Sequence, residues 1–274
     1  MLLQDNYVLK AVLNFGAHEF YPAAPYRHDT STCPKGYNMV PSDMFAPPSP
    51  EKVTDGVYLV GGSDLTDGRD CSVYLVDAGE LVLIDSGAGI NAAQIARNIE
   101  LLGLDPARLS TLILTHCHID HVGGAAYFKE RFGVRIVMHT LDAGAVERAD
   151  QVRTGASWYN LHLAPLPVDV KLIETEEALS FRDGTRLVCL HTPGHTPGSL
   201  AVYADRGEER VLFGQDIHGP FLPEFGADIS AWRRSMEALL GLEADILCEG
   251  HFGVYRTKVR VRKYIEGYLD QYSL

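Results

Sequence analysis

The sequence predicts an α/β protein built on two sheets, and three observations predict it. Short runs rich in Val, Leu and Ile recur from residue 57 onward, each closed by turn-forming residues. Fewer segments carry apolar residues at helical spacing. Strands and helices alternate along the chain instead of grouping by type, which fits mixed layers around shared cores.

Strand-like runs fall at 57–60, 72–76 and 81–84. Residues 91–102 have helical periodicity and end near Gly103. Residues 112–115 read as a strand, 122–132 as a helix stopping at Gly133, 134–138 as a strand and 141–149 as a helix. The second half repeats the style. Strands are expected at 170–173, 186–191, 200–203 and 210–213, a helix at 230–240, a strand at 245–248 and a last helix at 257–272.

Residues 1–52 form a separate arm ahead of a domain spanning 53–274. Seven of the fourteen prolines lie between Pro22 and Pro50, a density that forbids long regular elements. An edge strand or short helix fits only at 7–15. Aromatics such as Phe20, Tyr21, Tyr26, Tyr37 and Phe45 point to an arm that packs on a surface. It is read as a cover over a substrate pocket or as a homodimer contact.

With 46% hydrophobic and 22% charged residues, the composition is that of an ordinary globular protein. A net charge of −12 repels phosphate backbones, so no nucleic-acid partner is expected. The cations Arg256, Lys258, Arg260, Arg262 and Lys263 read as a solvated helix face. Runs such as 81–84 and 111–114 are far too short to span a membrane. The start, Met1-Leu2-Leu3-Gln4-Asp5, lacks the pattern of an export signal. Five cysteines without a CxxC pair fit a reducing cytoplasm.

Chemistry concentrates in Thr115-His116-Cys117-His118-Ile119-Asp120-His121-Val122-Gly123-Gly124, directly after the apolar run Leu112-Ile113-Leu114. Alternation along an extended chain lets His116, His118 and Asp120 share one side, and points Cys117 to the other. His121 sits where the chain turns into a helix. Four polar groups this close would each need a partner if buried. Imidazole and carboxylate donors suit zinc, iron or manganese, and two ions can divide them where one cannot. Three further strand ends lead into His195, Asp216 and His251, each beside a glycine.

The pattern His116-x-His118-x-Asp120-His121, followed by His195, Asp216 and His251, resembles the metallo-β-lactamase superfamily, over residues 53–255. Glyoxalase II and the acyl-homoserine lactonases share this set. The resemblance implies an αββα sandwich with the site at one edge between the sheets. It implies two divalent metal ions per chain, with zinc expected and iron or manganese compatible with the same donors. His116, His118 and His195 would bind one ion, Asp120, His121 and His251 the other, and Asp216 both. Asp85, in Ile84-Asp85-Ser86-Gly87, would orient a ligand or the loop that follows.

The activity so implied is hydrolysis of a small ester, lactone or thioester by hydroxide formed between two cations. Asp120 would orient the nucleophile or pass a proton to the leaving group. Ser86 and Ser199 need no catalytic role. Little chain follows His251, which favours a lactonase-like end over a glutathione-binding one. Two other readings are a single-iron dioxygenase of the same superfamily and a non-catalytic binding module; the intact donor set argues against the second. His139 and His191 read as packing residues. His218 stands open between packing and substrate contact, and Trp158, Tyr159 and His162 lie in a loop that packs or covers the cleft.

Overall fold

The computed structural model describes residues 48–273. The element expected at 7–15 and most of the proline-rich arm fall outside those residues. A strand already begins at Glu51, two residues ahead of the expected domain boundary.

The first half of the domain builds one sheet in simple chain order. Its strands are β1 (Glu51–Thr54), β2 (Val57–Gly61), β3 (Val73–Asp77), β4 (Leu81–Ile84), β5 (Leu109–Ile113), β6 (Arg135–His139) and β7 (Val170–Leu172). Strands β1 to β4 are antiparallel neighbours, and β4 to β7 run parallel. The helices α1 (Ala92–Leu101), α2 (Ile119–Val122), α3 (Ala125–Phe132) and α4 (Thr140–Glu147) fall between its strands. The second sheet has β8 (Glu176–Ser180), β9 (Arg186–His191), β10 (Leu200–Arg206), β11 (Glu209–Gln215), β12 (Ile246–Glu249) and β13 (Val254–Arg256), in the order β13-β12-β11-β10-β9-β8. Helices α5 (Ile229–Gly241) and α6 (Lys258–Gln271) belong to this half. Among the described residues no helix is long and apolar enough to cross a membrane.

Side-chain alternation sorts these elements into four layers. Tyr74, Val76, Val82, Ile84 and Ile113 face Val202, Val211, Phe213 and Ile246 in a core between the sheets. Their neighbours Val73, Leu75, Leu81, Leu83 and Leu112 turn the other way, onto Ile95 and Ile99 of α1 and Phe128 of α3. On the second sheet Ala201, Leu212 and Leu247 pack outward on Trp232 and Met236 of α5 and Val261 and Ile265 of α6. The architecture is the αββα sandwich that the sequence led us to expect.

The differences have physical causes. The expected helix at 122–132 is two helices, α2 and α3, broken at Gly123 and Gly124. A Cβ on Gly123 would collide with the Ala88 carbonyl, and one on Gly124 with the Ser86 carbonyl. The glycines let the chain press against that segment, and Gly124 N–H donates to Gly87 O at 3.1 Å. The strand expected at 112–115 is β5, which ends at Ile113; Thr115 bonds Asp85 instead. Strands β1, β8 and β13 were not foreseen. All three are edge strands, and edges are short and carry polar residues that break the apolar signal.

Gly123→Ala should lower the unfolding free energy by about 2 kcal/mol or more through overpacking. Gly241→Ala, with open space around it, should shift stability by less than about 1 kcal/mol. Urea denaturation of the two variants checks the pair, and equal effects would contradict the close approach.

Candidate metal centre

Every member of the site follows the C-terminal end of a strand. Asp85 follows β4, the segment His116–His121 follows β5, His195 follows β9, Asp216 follows β11 and His251 follows β12. The parallel pairs β4–β5 and β11–β12 bring four of these ends to one edge of the sandwich. A register shift between Phe213 and Gln215, with Gln215 at φ 53°, re-aims the chain at Asp216.

All seven expected residues converge, in two groups. His118 Nδ1 lies 3.0 Å from His116 Nε2 and 2.9 Å from His195 Nε2. Asp216 Oδ2 closes this group, 3.3 Å from His195 Nε2 and 3.8 Å from His116 Nε2. In the second group His251 Nε2 is 3.4 Å from Asp120 Oδ2, and His121 Nε2 is 3.7 Å from the same oxygen. Asp216 Oδ1 faces this group, 3.4 Å from both His121 Nε2 and His251 Nε2. One carboxylate therefore presents a separate oxygen to each set of donors. Gly250 makes room for it, because a Cβ there would sit 2.6 Å from Asp216 Oδ1.

Hydrogen bonds fix which ring nitrogens carry protons. His121 Nδ1 donates to Asp85 Oδ2 at 2.7 Å, which turns its Nε2 toward the cleft; burial lowers its pKa, but Cys71, Asp216, Asp120 and Asp85 around it raise it well above the usual histidine range. Thr115 spends its hydroxyl proton on Asp85 Oδ2 at 2.8 Å. Its oxygen therefore accepts from His116 Nδ1 at 3.2 Å, which leaves His116 Nε2 bare. His195 Nδ1 donates to the Pro220 carbonyl at 2.9 Å, with the same result. Partners behind the rings select the tautomer that turns a lone pair into the cleft.

Such an arrangement is costly without a cation. Ring nitrogens converge at contact distance, and His118 Nε2, His121 Nε2 and Asp216 Oδ1 are buried with no hydrogen-bond partner among the described residues. Burial, reinforced by the facing imidazoles, pushes His116 and His118 well below the usual histidine range. Burial takes His195 down to about 4. These three rings are neutral donors near pH 7. Burial raises the Asp216 carboxyl, but the facing His251 and His121 overcome it and hold it well below the carboxylate range. Burial lowers His251, yet Asp216 and then Asp120 lift it to about 9. The donor chemistry fits divalent cations.

The residues around the centre sort clearly. Cys117 points away, its thiol 3.6 Å from the Arg153 carbonyl, and burial raises its pKa far above the usual thiol value. His139 and His191 stack on each other with centroids 3.8 Å apart, and His191 Nε2 lies 2.8 Å from Pro197 O, as packing residues do. Ser86 donates to His121 O and Ser199 accepts from Thr196 N–H, so both hydroxyls hold loops. His218 reaches the cleft edge: its donor atom lies within 4.8 Å of those of Asp216 and His251. His162 is exposed. Trp158 faces Phe225, which lies 4.2 Å from the His118 ring. Tyr159 donates its phenol to Asp120 Oδ2 at 3.1 Å.

Two buried acids escaped the sequence reading. Asp142 accepts from Cys117 N–H at 3.1 Å, Gly198 N–H at 2.9 Å and Thr196 Oγ1 at 2.6 Å. It ties the loop of His116 and His118 to the loop of His195. Glu249 accepts from the backbone N–H of His251 at 2.6 Å and of Phe252 at 2.8 Å, and meets His218 Nδ1 at 3.0 Å. Its signal was present: an acid closing the apolar run Ile246-Leu247-Cys248, just as Asp85 closes Leu81–Ile84. Asp142 has no such mark, being one acid in the first turn of a helix.

The sequence profile of the metallo-beta-lactamase superfamily matches residues 66–251, and the chain belongs to this family. A hydroxyacylglutathione hydrolase of Haemophilus influenzae is 30% identical over 153 residues, which cover 54% of this chain and 66% of that protein. An acyl-coenzyme A thioesterase of Gallus gallus is 26% identical over 182 residues, covering 59% of this chain and 62% of the relative. The chain thus spans a little under two thirds of the length of each. Among solved structures, a class B3 di-zinc metallo-beta-lactamase from an Alaskan soil metagenome superposes with a TM-score of 0.67 at 22% identity, over 87% of this chain and 95% of that one. That likeness speaks to the fold.

Asp142→Ala strands the buried N–H groups of Cys117 and Gly198. It should cost about 2–4 kcal/mol of stability and weaken metal affinity roughly 10- to 100-fold. Urea unfolding and a zinc titration check this; wild-type values in both would contradict the tie between the two loops.

Proposed function

We propose that the chain is a dinuclear metal-dependent hydrolase of a small ester, lactone or thioester. The observation that carries the reading is the Asp216 carboxylate, with one oxygen toward His116, His118 and His195 and the other toward Asp120, His121 and His251. Two relatives, by name a hydroxyacylglutathione hydrolase and an acyl-coenzyme A thioesterase, point to acyl substrates. Zinc is the expected metal, and a small molecule the expected partner.

In this reading His116, His118, His195 and Asp216 hold one cation, and Asp120, His121, His251 and Asp216 the other. Bound there, two divalent cations lower the pKa of water and polarise a carbonyl. The protein's own groups do the rest. Asp85 and Thr115 keep His121 and His116 in the tautomers that coordinate. Asp120, whose Oδ2 faces the second group, orients the nucleophile and accepts a proton. No side-chain nucleophile is required.

Asp216→Ala should lose at least one metal ion and nearly all turnover, read by elemental mass spectrometry and by hydrolysis of lactones, alkyl esters and thioesters. Full metal content with full activity would overturn the assignment. Stripping the metal with a chelator should also lower thermal stability. At free zinc about 1,000 times its dissociation constant, the bound ion contributes about 4 kcal/mol. An unchanged melting temperature would argue against a resident cation.

A further inference from the structure

Two buried acids each hold a histidine at the cleft, and one of those histidines lies outside the seven-residue set. Asp85, which follows β4, takes His121 Nδ1 on its Oδ2 at 2.7 Å. Glu249, which closes β12, takes His218 Nδ1 on its Oε1 at 3.0 Å. Both acids are fully buried. In each pair the carboxylate engages one ring nitrogen and leaves Nε2 as the free donor, the arrangement that supports metal-binding histidines. The other Glu249 oxygen accepts from the N–H groups of His251 and Phe252, so the same acid sets both His218 and the turn of His251.

His218 is firmly placed. Its carbonyl accepts the Tyr272 hydroxyl at 3.0 Å, and the Ile217 carbonyl before it accepts Trp232 Nε1–H at 2.9 Å. Its ring meets Phe252 edge-on with centroids 4.7 Å apart, and His251 edge-on at 5.3 Å. One donor atom each from Asp216, His218 and His251 lie within 4.8 Å of one another, and Asp120, His121 and His251 converge within the same limit. His218 thus closes a donor set comparable to the second group. Asp216 Oδ1 and His251 Nε2, 3.4 Å apart, already have the spacing of two ligands on one tetrahedral zinc. That spacing is roughly 3.3 Å for bonds of about 2.0 Å.

We propose that the second cation has two alternative seats: one closed by Asp120 and His121, the other by His218, with Asp216 and His251 common to both. This rests on the two-cation reading above. The seats exclude each other, because the one lone pair of His251 Nε2 binds a single cation at a time. His218 is then a metal ligand in its own right, and Glu249 supports it as Asp85 supports His121. In the His218 seat Asp120 is released from the cation, and its Oδ2 keeps the hydrogen bond that the Tyr159 hydroxyl donates at 3.1 Å.

The test is zinc binding to metal-stripped protein, read as stoichiometry by elemental mass spectrometry and as affinity by competition titration. Asp120→Ala and His121→Ala each break the first seat. Each should keep close to two zinc ions per chain, because the His218 seat is intact. Adding His218→Ala to either should remove the second ion or weaken its binding at least roughly 10-fold. His218→Gln, which keeps a polar contact to Glu249 without an imidazole, should act as His218→Ala does. Loss of the second ion from the folded single variants would overturn the seat, and so would double variants that bind it as tightly as the singles. Two backgrounds guard against one misfolded variant, which circular dichroism identifies. Cobalt(II) gives a second readout: in Asp120→Ala, replacing His218 should alter the visible absorption of the bound ion, and an unchanged spectrum would overturn the ligation. Wild type that binds a single zinc ion, or none, would overturn the two-cation reading itself.

Discussion

The Asp85 carboxylate is the point on which the centre turns. It receives both the backbone N–H and the hydroxyl of Thr115, and the Nδ1 proton of His121. These bonds join the end of β4 to the end of β5. They also decide, through one ring directly and one through Thr115, which ring nitrogen faces the cleft. Asp85 adopts φ 62°, an unusual value for a residue with a side chain, and the three bonds hold it there. The strain and the crowded polar atoms are both unfavourable alone; a cation between the donors would offset them.

The rest of the fold serves this convergence. Two sheets sandwich an apolar core, so strand ends from both reach one edge at fixed separation. Asp142 then ties the His116–His118 loop to the His195 loop, and Glu249 holds the turn at His251. Each ligand loop is thus pinned by a buried acid that does not itself face the metal site. Such supports keep ligands within the narrow geometry that metal binding needs.

Much of this was legible in the sequence because it rests on local pattern. The inner strands announce themselves as apolar runs, and β4 and β9 fall where expected, residue for residue. The seven donors stand out because histidine and aspartate at strand ends have no bland explanation at that density. What stayed hidden is non-local. Edge strands such as β8, with its Glu176 and Glu177, look polar because solvent covers one side. The break between α2 and α3 depends on the backbone of residues 86–88 arriving from elsewhere. Asp142 and the Tyr159 phenol acquire meaning only when loops distant in sequence meet.

The central claim is that two cations share the Asp216 carboxylate. Its most direct test is elemental mass spectrometry of protein purified without added metal and again after reconstitution. The account predicts close to two zinc, iron or manganese ions per chain. One ion per chain, or none after exposure to all three metals, would contradict it.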